Sequence, residues 1–166
     1  MSIATPFGPT APRLDGRSLR VGVVAARFNA AIVDRLIEGA RRGLKSVGVP
    51  DDAVVLVRVP GAVELPFAAQ ALLKGSDRLG PAVDAVVALG CVLRGETTHY
   101  DYVCRMAADG LMRVMLDFGK PVVFGVLTCD HEAQALARAG SGEDNKGFEA
   151  ALTAVESATL RPEKTS

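Results

Sequence analysis

The sequence predicts a three-layer α/β domain built on a four-stranded parallel sheet. Four short apolar runs carry that reading: Leu19 to Ala26, Val54 to Val59, Ala85 to Leu93 and Val122 to Leu127. Each has the length of a strand and is apolar but for Arg20 and Arg58, and Leu19 to Ala26 reads as a strand buried on both faces. Stretches with apolar residues at helical spacing alternate with them, giving the order βαβαβαβαα and helices on both faces of the sheet. The 166 residues are 49% hydrophobic with zero formal net charge, which suits one folded domain and excludes a disordered body.

Each element follows from local chemistry. Residues 1–17 carry three prolines and two glycines and read as an extended arm. After the first strand, Ala31 to Val47 places Ile32, Val33, Leu36, Ile37, Ala40, Leu44 and Val47 on one helical stripe. Asn29 is expected to cap that helix, and Gly48 and Pro50 to end it. The second strand leads into PGAVELPF and a helix to about Leu73, with Pro66 tolerated only in its first turn. After the third strand comes a helix over Asp101 to Phe118, with Val103, Met106, Leu111, Val114, Met115 and Phe118 expected inside. Two helical stretches close the chain, Glu132 to Ala139 and Phe148 to about Leu160, separated by a glycine-rich break. Neither linker nor repeat interrupts residues 18–160, which read as one domain followed by a short tail, 161–166.

Composition narrows the function. Nineteen Lys and Arg balance nineteen Asp and Glu, there is no Trp, and aromatics are 5%, so neither a basic field nor stacking platforms favour nucleic acid. No run reaches the roughly 18 apolar residues of a membrane span. The N-terminus lacks the basic and apolar regions of a secretory leader. Cys91, Cys104 and Cys129 are odd in number and form no CxxC, which fits buried thiols in the cytoplasm better than disulfides or zinc. Walker A, GxSxG and HExxH motifs are all absent, so a protein-bound metal is not expected.

In parallel α/β folds ligands bind beyond the carboxyl ends of the strands. Four segments fall there: Arg27 to Asn29, Gly61 to Glu64, Arg94 to His99 and Thr128 to His131. Thr97 and Thr98 precede a helix, where they either cap it or form an anion site. His99 is either structural or a proton-transfer group. Glu64 either complements the helix dipole or accepts hydrogen bonds from a ligand. Phe28 either staples the first helix or stacks on a planar ligand. Arg138 and Lys146 flank a flexible turn and read as solvated charge unless they converge on the Thr97 region.

These segments, in this order, resemble the lumazine synthase family. The matching residues are RFN (27–29), PGAVELP (60–66), LGCVLRGETTHYDYVC (89–104), PVVFGVLTCDHEAQALARAG (121–140) and NKG (145–147). The likeness runs from about Leu19 to about Leu160. It implies a flavodoxin-like α/β/α fold and a condensation without a protein-bound cofactor, in riboflavin biosynthesis. The implied substrates are 5-amino-6-(D-ribitylamino)uracil and 3,4-dihydroxy-2-butanone 4-phosphate; the implied products are 6,7-dimethyl-8-ribityllumazine, phosphate and water. It also implies roles: Phe28 stacking on the pyrimidine; Ala62, Val63 and Glu64 contacting the ribityl chain and ring; Cys91, Val92 and Leu93 lining the pyrimidine pocket through their backbone. Glu96 and Thr97 correspond to the phosphate loop, His99 to the general acid/base, and Arg138 and Lys146 to cations for phosphate or ring carbonyl. Phe124 corresponds to an aromatic side chain that a neighbouring subunit contributes. The implied assembly is a homopentamer or a 60-subunit shell, with riboflavin synthase as an implied partner. Glu96 departs from the usual small or amide residue and is expected to point away from a bound phosphate. Cys91 stands for a more usual Thr or Val, and Asp144 for a common glycine.

Overall fold

The four apolar runs form strands that share a single parallel sheet in a computed structural model describing residues 13–160. Most of the arm expected over 1–17 and all of the tail 161–166 lie outside the described residues. The strands are β1 (Val21–Ala26), β2 (Val54–Val59), β3 (Ala85–Leu93) and β4 (Val122–Cys129). The helices are α1 (Ala30–Ser46), α2 (Leu65–Lys74), α3 (His99–Phe118), α4 (Glu132–Ala137) and α5 (Lys146–Ala158). Short 3-10 turns cover Asp51–Ala53 and Ala62–Glu64.

Strand order is β2-β1-β3-β4, with Val23 opposite Leu56 on one side and Val87 on the other. Residues of β1 and β3 alternate between two cores, as the two-residue period of a strand demands. Val21, Val23, Ala25, Val87 and Leu89 face α1, α4 and α5. Val24, Val86 and Ala88 face α2 and α3. Both faces of these two strands therefore meet an apolar core, which is why the runs show no polar alternation.

The first core depends on close approach between α1 and α5. A Cβ on Gly43 would lie 2.8 Å from the Phe148 carbonyl oxygen, and one on Gly147 would overlap the Leu36 carbonyl. Asn145 locks this contact. It is 1% exposed, its amide donates to the carbonyls of Arg35 (3.1 Å) and Gly140 (2.7 Å), and its Oδ1 accepts from the N–H groups of Gly147 and Phe148. Asn145 is thus the N-cap of α5, and satisfies all the donors and acceptors of its own amide.

Three expectations change. Asn29 occupies the position before α1 but does not cap it with its side chain; it is left-handed (φ 56°), and its amide reaches across to β3 instead. Met106 is not inside: it is 54% exposed, because Val103, Ala107, Leu111 and Val114 already fill the inner stripe of α3. Helices α3 and α5 begin two residues earlier than the apolar pattern alone places them, which brings Lys146 into the first turn of α5 and leaves His99 in the first turn of α3, where the Thr97-Thr98 start puts it.

Candidate active site

The strand order reverses between β1 and β3, so the connections leaving their carboxyl ends diverge and leave a cleft. Its volume is about 600 Å³, within the range of small-molecule sites. One wall comes from the turn after β1. The N–H groups of Arg27 and Phe28 bond the carbonyls of Val59 and Pro60 at 2.7 and 3.1 Å, extending the β1–β2 pairing beyond the strands. Phe28 ends up 73% exposed at the cleft mouth, too open for a staple against α1. The left-handed Asn29 then turns the chain into α1 while its Nδ2 donates to the Cys91 carbonyl at 2.8 Å. Asn29 is the one non-glycine residue with positive φ among the described residues, and asparagine tolerates that region better than most.

A second wall is the 3-10 turn before α2. Glu64 Oε2 accepts the Gly61 N–H at 2.9 Å, so the carboxylate closes its own turn while lining the cleft with Ala62 and Val63. The floor is the end of β3: Cys91, Val92 and Leu93. Burial, with smaller contributions from Cys129 and Glu132, pushes the Cys91 thiol up to about 11, so it is an uncharged, inert lining group at neutral pH.

The third wall follows β3. Gly95 to His99 are exposed, and Gly95, Thr97 and His99 line the cleft. Thr97 Oγ1 accepts the His99 N–H at 3.3 Å from one residue before the N-cap, Thr98, whose own side chain makes no capping bond, and the imidazole stands in the first turn of α3. Glu96 is exposed and does not line the cleft. Arg94, just before this loop, is held from three sides. Its Nε donates to Asp130 Oδ1 at 2.9 Å, its NH1 lies 3.5 Å from Asp101 Oδ1, and its guanidinium stacks 4.2 Å from the centre of the Tyr100 ring. The Asp130 hydrogen bond further favours its charged form.

Arg138, Lys146 and Phe124 do not line this cleft. They line a separate groove of about 350 Å³ along the outer edge of β4, with Cys129, Glu149 and Thr153. Arg138 NH1 donates to the Gln134 carbonyl at 2.9 Å, and Lys146 Nζ pairs with Glu149 Oε2 at 2.7 Å. A backbone bond from Lys146 N–H to the Arg138 carbonyl at 2.9 Å ties the two cations together. Phe124 is 43% exposed at this edge.

Most of the cleft is legible in the sequence, where Asn29 stands in a ligand-side segment but only as an expected helix cap; Tyr100, Tyr102, Val103 and Met106 of α3 also line it and were not singled out for it. The signal for Tyr102 and Met106 was their spacing from His99, three and seven residues, which puts them on one helix face. Among the described residues no group of three or more His, Cys, Asp or Glu side chains is placed to hold a metal ion, and no helix is long and apolar enough to cross a membrane.

Comparison with known proteins adds an independent finding. The family model described as 6,7-dimethyl-8-ribityllumazine synthase matches residues 18–162. A protein of that name from Aquifex aeolicus (strain VF5) is 45% identical over 148 residues, covering 89% of this chain and 93% of its own. One from Kineococcus radiotolerans is 52% identical over 145 residues, 86% of this chain and 85% of its own. A third, from Desulfovibrio desulfuricans, is 47% identical over 146 residues, 88% and 90% respectively.

Proposed function

Since the chain belongs to the 6,7-dimethyl-8-ribityllumazine synthase family, we propose that its cleft condenses 5-amino-6-(D-ribitylamino)uracil with 3,4-dihydroxy-2-butanone 4-phosphate, a step of riboflavin biosynthesis. One observation carries the assignment to this cleft: it gathers an exposed ring (Phe28), a carboxylate (Glu64) and an imidazole (His99) around an apolar floor at the strand ends. That set matches a planar, polyhydroxylated amine that must be held flat while protons move at its edge.

The chemistry assigns work to each residue. The primary amine of the pyrimidine attacks the ketone carbon, and loss of water forms an imine. A proton leaves the carbon next to that imine, and the electron pair expels phosphate from the neighbouring carbon. The enol this leaves takes a proton on its terminal carbon and gives up its hydroxyl proton, becoming a methyl ketone; attack of the ribitylamino nitrogen on that new carbonyl, with loss of a second water, closes the ring. His99 takes the carbon-bound proton and returns protons to the departing oxygens. Phe28 stacks on the pyrimidine, and Glu64 accepts hydrogen bonds from the ribityl hydroxyls while Ala62 and Val63 shape that wall. The backbone of Cys91, Val92 and Leu93 meets the edge of the ring. Thr97 offers the loop amides and hydroxyl to the phosphate, with the Glu96 side chain directed outward.

Arg138 and Lys146 complete the phosphate site from a neighbouring copy, which also brings Phe124 over the pyrimidine. The separation of the two grooves within one chain supports this, as does the open mouth around Phe28. The assembly is a homopentamer or a shell of pentamers, acting in the cytoplasm, and riboflavin synthase is its candidate partner.

The test is direct. Purified protein, incubated with the two substrates, is expected to form the lumazine, followed by its absorbance, faster than a no-protein blank. A rate equal to the blank removes the enzymatic reading and leaves a binder of the same ligands.

A further inference from the structure

The loop that carries Thr97 and His99 has little of its own to hold it. Gly95 to Thr98 are exposed, and a Cβ added at Gly95 would meet no atom within 4 Å. Its two ends are fixed by backbone bonds, from Arg94 N–H to the Cys129 carbonyl at 2.9 Å and from Asp101 N–H to the Thr98 carbonyl at 3.0 Å. Between those ends the Arg94 side chain spans the loop. It grips Asp101 and Tyr100, the two residues that directly follow His99, and anchors them to Asp130 at the end of β4. Asp130 is itself steadied, its N–H donating to Gln134 Oε1 at 2.7 Å.

We propose that Arg94 is a positioning residue of the reaction, a brace that sets the first turn of α3 so that His99 faces the cleft. The reasoning rests on the proton-transfer role proposed above for His99. A single exposed ion pair orders little. Here one planar guanidinium meets two carboxylates and lies over an aromatic ring, and a flat fork with a stacked face fixes orientation as a point charge cannot. Arg94 does not line the cleft, and its charge is already matched by Asp130 and Asp101, so it acts through the loop and not as a phosphate ligand.

Steady-state kinetics in two backgrounds test this. Arg94→Ala and Arg94→Lys are measured beside the unaltered chain, then each is combined with His99→Ala, all corrected for a no-protein blank. Arg94→Ala is expected to lower kcat by about 10–100-fold, the size of a displaced catalytic group. Michaelis constants for both substrates are expected to stay within about twofold. Arg94→Lys recovers only part of kcat, because an ammonium reaches Asp130 but cannot stack. With His99 already removed, either change at Arg94 is expected to alter kcat by less than about twofold, since two residues acting as one unit are not additive. An Arg94 effect of equal size in both backgrounds overturns the proposal, as does one confined to the Michaelis constant of the phosphorylated substrate. If Arg94→Ala does not fold, Arg94→Lys carries the same comparison. Full kcat in His99→Ala alone overturns the proton-transfer reading and the brace with it, whereas an impaired His99→Ala with an undiminished Arg94 effect overturns the brace only.

Discussion

His99 and Cys91 line the same cleft, yet their surroundings suit them to opposite tasks. His99 is exposed in a first helical turn, where its ring lines the open side of the cleft. Replacing it with alanine is expected to lower turnover by about 10–10⁴-fold with the fold intact, the range of general acid–base contributions. Steady-state rates beside a circular dichroism spectrum check this. Cys91 is buried and its thiol is raised to about 11, so ionisation, and with it reactivity, is suppressed at neutral pH. Only about 0.1% of it is thiolate at pH 8, and labelling in a Cys104→Ser, Cys129→Ser background should rise roughly tenfold per pH unit up to pH 10. A labelling rate that levels off near pH 8.5 would show an ordinary thiol there. Both residues were visible in the sequence as occupants of a strand end, but their difference was not. It comes from depth: Cys91 is the last buried residue of β3, whose end at Val92 and Leu93 is half-buried, and the chain is exposed from Arg94 to His99.

The helices and strands were legible to different degrees for a physical reason. Strands β2 and β3 begin and end where the apolar runs do: β3 is buried from Ala85 to Cys91, whereas β2, a half-buried edge strand, keeps its bounds while admitting Arg58, which pairs with Asp34. Helix starts were less legible, because polar caps set them and apolar spacing does not: Thr97 holds the first N–H of α3, and Asn145 those of α5. The neighbours of each helix were not legible at all, and the glycines at 39, 43 and 147 show why. Their lack of a side chain has meaning only against the facing helix. Gly147→Ala would force a methyl into the Leu36 carbonyl, and is expected to destabilise the protein by about 1–3 kcal/mol or more, as overpacking does. Gly140→Ala, where a Cβ meets nothing within 4 Å, is the control and should stay within about 0.5 kcal/mol. Thermal unfolding of the pair measures the difference; equal midpoints would mean that α1 and α5 can separate without cost.

On the scale of the molecule, a net charge of zero conceals an uneven layout of function. The cleft with His99 and the groove with Arg138 and Lys146 open from different parts of the same sheet, one at the strand ends and one along the edge of β4. The sequence brought both sets forward but could not show that a single chain keeps them apart, because separation in space depends on strand order. A site assembled between copies makes a quantitative prediction. His99→Ala damages the cleft, and Arg138→Ala damages the groove, chiefly by raising the Michaelis constant for the phosphorylated substrate. Neither change touches the other's wall. If each site joins the cleft of one copy to the groove of the next, co-refolding the two variants in equal amounts pairs an intact cleft with an intact groove at about one interface in four. Such mixtures are expected to regain about a quarter of the unaltered activity at low butanone phosphate, well above either variant alone. Mixing the folded variants without refolding should give only their average, because established oligomers keep their own subunits. An average after co-refolding as well would place the whole site within one chain, and would require Arg138 and Lys146 to leave the β4 edge and cross toward His99.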